Sequence, residues 1–260
     1  MIKINPFKTK LPLLIALLLL ILTQSGCVYL RLLEVKNQLK DFDLNFRIET
    51  GEQLIVHALD PVITDSDLLY LTKVDPSSVQ TRQNRTQWTY RFEKVDEQGN
   101  PIQEDRSIVF DIGFNEKNRI SQFQFHEIFL EIVPSDFIEG SLRALGNATI
   151  DKRNRKVDAD SDVWSGKKLE APYADSILAK LGPPLNDEVS EAGRLVSYKY
   201  RLQLPPNSTG KQKNRIAEVT LEFDPDTDQL KRLRTRFAGM KLSVNYQRII
   251  EKSKQSLAAS

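Results

Sequence analysis

The amino-acid sequence predicts an α+β protein in which two related modules follow an N-terminal export segment. Each module is expected to pack helices on an antiparallel sheet of three or slightly more strands. Three observations carry this reading. Segments of strict apolar alternation are separated by turn-forming residues, segments with apolar residues at helical spacing flank them, and the order of these segments recurs in the second half. The expected division is residues 1–26 as a signal, 27–147 as the first module and 148–260 as the second.

The export segment comes first. Lys3, Lys8 and Lys10 precede an apolar run from Leu11 to Leu22, which gives way to small and polar residues up to Gly26 and Cys27. That is the three-part layout of a secretory signal. The run falls short of the roughly 20 residues a helix needs to cross a bilayer, which favours cleavage over a span. The alternative is an uncleaved signal anchor in the inner membrane, because residues 11–30 carry no charge and the lysines would stay inside. Cys27 is the only cysteine and can form no internal disulfide, so stability outside the cytoplasm must come from packing. Ser25, Gly26 and Cys27 resemble the lipobox of bacterial lipoproteins, with Gln24 where leucine is usual. The resemblance implies cleavage between Gly26 and Cys27, lipidation of Cys27, and stable attachment through several acyl chains. Val28 stands where that family carries aspartate for inner-membrane retention, so the resemblance implies the periplasmic face of the outer membrane.

Leu32, Val35, Leu39 and Phe42 recur at steps of three and four, predicting an amphipathic helix directly after Cys27 and a folded part close to the membrane. Residues 45–59 alternate on both sides of Thr50 and Gly51 and predict a hairpin. Thr64 and the acidic residues after it open a short helix that stops before Pro76. Residues 87–95, 106–114 and 119–133 read as three strands, and Pro134, Ser135 and Asp136 open a helix that ends near Gly146.

The second half repeats this order. A helix over 173–184, strands over 197–204, 217–223 and 229–237, and a last segment over 241–257 answer the first-half elements. Tyr90 precedes Tyr198 by about 108 residues, Phe114 precedes Phe223 by about 109, and Leu130 precedes Leu242 by about 112. The polar stretch between the halves reads either as a linker or as a second copy of the early hairpin. Residues 204–214 read as an exposed loop.

The second half also carries a family likeness. A helix ending in Leu181, Gly182, Pro183 and Pro184, an aromatic strand at Tyr198 and Tyr200, and a strand ending in Phe223 and Asp224 together resemble the SmpA/OmlA outer-membrane lipoproteins. That family includes the BamE component of the β-barrel assembly machinery. The resemblance implies helices on a three-stranded antiparallel sheet, as in the β-lactamase-inhibitor-protein-like fold, and a non-enzymatic binding or scaffold role in outer-membrane assembly or maintenance. It implies an envelope protein as partner. In the first half Val74, Asp75 and Pro76 replace the Leu-Gly-Pro-Pro turn, and no contact residue carries over position by position.

The formal net charge of +2 does not suggest a nucleic-acid protein, which normally shows a clustered basic excess. Alternation places Arg232, Arg234 and Arg236 on one face of their strand, with Lys199 and Arg201 projecting from the Tyr198 strand. This face is the candidate site for an anionic partner such as anionic lipid or lipopolysaccharide. The competing expectation is a solvated face whose arginines pair across strands with Glu218 and Glu222. Gln122, Gln124 and His126 occupy the matching first-half positions. Asp158, Asp160 and Asp162, and Asp224, Asp226 and Asp228, have the opening spacing of a calcium loop but lack its glycine and closing glutamate. His57 and His126 are the only histidines, each expected in a strand, and neither has a ligand at metal spacing. With no nucleophile elbow, zinc-protease pair or phosphate-binding glycine loop, no cofactor and no catalytic residue is expected. A periplasmic enzyme, or an inhibitor of one, stands as the remaining alternative.

Overall fold

Large apolar residues at every second position decide how this chain lies down. Trp88, Tyr90 and Phe92 are buried on one strand, and Val196, Tyr198, Tyr200 and Leu202 on another, while the residues between them face outward. A strand of that pattern needs one covered face and one open face. In the computed structural model, which describes residues 28–102, 106–146, 149–151, 156–158, 169–205, 216–237 and 240–259, helices supply the cover.

Helix α1, described from residue 28 onward, ends at residue 40 and is followed by α2 (Phe42–Asn45) and the hairpin β1 (Phe46–Thr50) and β2 (Leu54–Ala58). Then come α3 (Asp65–Thr72), β3 (Ser78–Arg82), β4 (Arg85–Val95), β5 (Ile108–Phe114), β6 (Ile120–Phe125), α4 (Glu127–Ile132) and α5 (Ser135–Gly146). A separate small hairpin, β7 (Thr149–Asp151) with β8 (Lys156–Asp158), leads to α6 (Ala174–Leu181). The chain continues through β9 (Asn186–Ser190), β10 (Gly193–Leu202), β11 (Ile216–Phe223), β12 (Leu230–Phe237), β13 (Met240–Asn245) and α7 (Tyr246–Ala259). No helix among the described residues is long and apolar enough to cross a membrane.

Eleven strands form one antiparallel sheet in the order β1-β2-β6-β5-β4-β10-β11-β12-β13, with β3 added on β4 and β9 on β10. The two halves of the chain therefore join edge to edge. Lys94 pairs with Tyr200 and Phe92 with Leu202 across the β4–β10 seam. Beneath the sheet the core runs without a break from Leu54 through Phe137 and Ile177 to Tyr246. Helix packing crosses the seam as well: Lys180 on α6 pairs with Glu127 on α4, and the Tyr246 hydroxyl donates to the Ile132 carbonyl at 2.6 Å.

The same backbone solutions occur on both sides of the seam. Tyr90 Oη donates to Val74 O at 3.3 Å, and Tyr198 Oη to Gly182 O at 3.0 Å. Asp65 N donates to Asn118 O and Ala174 N to Asp228 O, and both acceptor residues hold left-handed backbone, with φ of 55° and 56°. The register shifts once between Gly113 and Phe114 and once between Glu222 and Phe223. After the bulges Ile120 in the first half and Leu230 and Leu233 in the second are buried, whereas Phe123 stays exposed.

Several expectations need correction. The strand foreseen over 119–133 stops at Phe125, and the chain turns at His126 into α4, so His126 precedes a helix rather than lying in a strand. Strand propensity in Ile128, Phe129 and Leu130 yields to burial against β5, since a helix offers its apolar face where a longer strand would run past the sheet. Leu130 lies in α4 and Leu242 in β13, so the last pair of segments does not correspond. The edge strands β3 and β9 went unforeseen: all their residues are exposed and show no apolar alternation. Gly26, Cys27, the whole signal, Asp160, Asp162, the 147/148 boundary and most of the 204–214 loop lie outside the described residues.

Candidate functional site

The helix-free face of the sheet carries the polar side chains, and its two halves differ. On the second half, Glu222 of β11 gathers three cations. Its carboxylate lies 3.1 Å from Arg234, 3.7 Å from Arg232 and 3.9 Å from Lys231. Arg236 stands directly across from Glu218, whose other neighbour is Lys199. Arg201 lies 3.7 Å from Glu93 and donates to the Gly99 carbonyl at 2.9 Å. The sheet thus brings the five foreseen cations to one face, but interleaves them with Glu93, Glu218 and Glu222. Such partly exposed pairs contribute only ~0.2–1 kcal/mol each.

The first half holds a tighter network that sequence reading missed. Register places Asp111 of β5 opposite Thr89 on β4 and Gln124 on β6. Asp111 accepts from Thr89 Oγ1 at 2.5 Å, and His126 Nε2 lies 2.9 Å from its other oxygen. Gln53 bridges His126 Nδ1 and the Gln124 amide. Burial pulls the Asp111 carboxyl upward, but hydrogen bonds from His126, Thr89 and Gln87 outweigh it and hold the group below the usual carboxylate range. The hydroxyl here bonds the carboxylate and not the imidazole. A nucleophile–base pair needs the reverse, so this arrangement orders side chains and activates no nucleophile. The missed signal was the β5–β6 turn at Asn115 to Asn118, which folds Asp111 back beside His126.

Beside this network a groove of about 720 Å³ crosses the sheet face between the β1–β2 hairpin and the β3–β4 hairpin. Gln87, Gly113, Gln122, His57 and Arg47 stand in one cross-strand row along it. Arg82 and Arg85 close one end, directly opposite each other beside the Gln83–Asn84 turn, whose two residues both have positive φ. That turn geometry is the tight hairpin type that fixes register. Arg47 is 3.0 Å from Glu49, and His57 Nε2 is 3.3 Å from the same oxygen without a hydrogen bond's direction.

Two further arrangements position the halves. Lys94 is buried on β4, and its Nζ donates to the Leu181 and Pro183 carbonyls at 2.7 and 2.6 Å, where the negative end of α6 favours a cation. Arg106 donates to the Ala179 and Lys180 carbonyls of the same turn. At the N-terminal end, Arg31 of α1 holds the buried Asp67 through two hydrogen bonds of 2.6 and 2.5 Å. Burial raises the Asp67 carboxyl, but Arg31 and the Thr64 cap outweigh it and lower it overall. Gln38 donates to Asp60 O, and Gly146 meets the Leu39 backbone so closely that a Cβ there would stand 2.4 Å from it.

The calcium-like spacing at Asp224, Asp226 and Asp228 is a hairpin turn: Asp224 Oδ1 accepts from the amides of Asp226 and Thr227. Among the described residues no cluster of His, Cys, Asp and Glu has the geometry to hold a metal ion. Comparison of the chain with protein-family models, curated proteins and solved structures finds no match.

Proposed function

We propose that this chain is a non-enzymatic envelope lipoprotein, anchored through Cys27 at the periplasmic face of the outer membrane, that presents the open face of its sheet to an envelope partner. The observation that carries the reading is the junction between signal and fold. Residue 28, the first described, is already helical, and Arg31 three residues on is fixed to Asp67, so a lipid on Cys27 would hold the body close to the membrane. Such a geometry suits a module that acts on a neighbour in the same bilayer.

Two tandem related modules, in the manner of the BamE-like resemblance, belong to the same proposal. Its support is the recurrence of the Tyr90 and Tyr198 hydroxyl bonds, the paired left-handed turn residues at Asn118 and Asp228, and the paired bulges. Anionic lipid binding through Arg232, Arg234 and Arg236 is the weaker reading, because Glu222 already compensates two of the three.

The deciding experiment is the intact mass of the N-terminal peptide from membrane-extracted protein, beside a Cys27→Ser control. A peptide starting at Cys27 with diacylglycerol and acyl mass is expected. An unmodified peptide starting at Met1 would mean an uncleaved anchor and remove the outer-membrane assignment.

A further inference from the structure

The groove on the first half of the sheet has the chemistry of a binding site, and we infer that it takes a phosphorylated sugar. Four features lead there. First, Gln80, Gln83, Gln87 and Gln122 line it, and each amide both donates and accepts, as a sugar hydroxyl does. Second, Arg47, Arg82 and Arg85 line it and no carboxylate does. Arg47 is answered by Glu49, whereas Arg82 and Arg85 make no ion pair among the described residues. A guanidinium fork matches a phosphate with two parallel hydrogen bonds.

Third, Arg82 and Arg85 are direct cross-strand partners. Like charges in that position repel, and a bound anion between them removes the repulsion. Fourth, Gly113 lies in the middle of β5, where glycine weakens a strand and commonly marks close approach by another molecule. Its missing side chain lets the Gln122 side chain lean across it, with Gln122 Oε1 3.7 Å from where a Cβ would stand, which sets that amide along the groove. The volume of about 720 Å³ suits a ligand of mono- to disaccharide size. The site does not depend on how the chain is anchored, so it stands or falls separately from the lipoprotein reading.

Titration calorimetry of the full-length protein in detergent tests this, with glucose 1,6-bisphosphate as the probe. Maltose supplies hydroxyls without phosphate, and inorganic phosphate supplies charge without hydroxyls. The bisphosphate is expected to bind at least tenfold more tightly than either. The Arg82→Gln/Arg85→Gln double variant, on an exposed hairpin, should weaken it at least tenfold, and Gln87→Leu should weaken it with both arginines in place. Arg232→Gln/Arg234→Gln should leave it unchanged. Absence of binding, equal affinity for inorganic phosphate, or loss only in the Arg232/Arg234 variant would overturn the inference.

Discussion

Two rows of the sheet, one in each half, lie beside matching bulges and carry opposite side chains. In the first half the row is Gln87, Gly113 and Gln122; in the second it is Leu195, Glu222 and Arg232. The register shifts at the same place in both halves and buries the residue that follows, Ile120 in one and Leu230 in the other, so the backbone solution is the same. What differs is the outward side chain at the centre. Beside the glycine, which Gln122 leans across, runs a groove with two arginines at its end, whereas glutamate draws Lys231, Arg232 and Arg234 onto itself. The contrast teaches that the covered face constrains this fold through packing, while the open face is where the two halves are free to differ in chemistry.

The seam offers the largest test of that contrast. Lys94 on β4 caps α6 from across the seam, while the residue two beyond Tyr200 on β10 is the buried Leu202. Lys94→Met keeps the stem but strands two carbonyls at the end of α6, and should cost ~2–4 kcal/mol in chemical denaturation. Leu202→Met, a near volume-conserving change, should cost less than about 1.5 kcal/mol. Equal effects would mean that the seam does not rest on the lysine.

The buried network should separate the halves next. Asp111→Asn should lower stability at neutral pH by ~1.5–3 kcal/mol, the range for hydrogen bonds to a charged group. Thr220→Val, one row inward from the Glu222 ladder, should stay within about 0.5 kcal/mol. Because the folded Asp111 carboxyl titrates below its unfolded value, its contribution is full above the ordinary aspartate pKa and disappears as pH falls through the lowered one. The Asn variant should therefore lose less stability than the parent on acidification, as read by denaturation midpoints between neutral and acidic pH.

A sharper comparison uses the tyrosines. Tyr90→Phe and Tyr198→Phe should each cost roughly 1 kcal/mol, because each removes the same kind of buried hydroxyl-to-carbonyl bond. Burial pushes the Tyr90 and Tyr198 hydroxyls up to about 12. Tyr200, also raised by burial, has a buried hydroxyl with no hydrogen-bond partner among the described residues. Tyr200→Phe should be neutral or stabilising by up to about 1 kcal/mol. The ladder should respond weakly too: Glu222→Gln should change stability by less than about 1 kcal/mol and mainly alter its salt dependence.

The sequence alone determined the elements whose signal is local. Alternation marked β4, β5, β10, β11 and β12, because a strand with one covered face must bury every second residue. Spacing of three and four marked α1, and the Thr64 cap with Asp67 marked the start of α3. Opposite faces for Leu233 and for Arg232 and Arg234 followed from the same parity. Only the tertiary structure decided that the two halves share one sheet, since β4 and β10 pair through backbone groups that carry no sequence label. It also decided the Asp111–His126 contact, the Lys94 cap on α6 and the groove above Gly113. Each depends on residues far apart in the chain meeting through register, and register is set by the whole sheet rather than by any one segment.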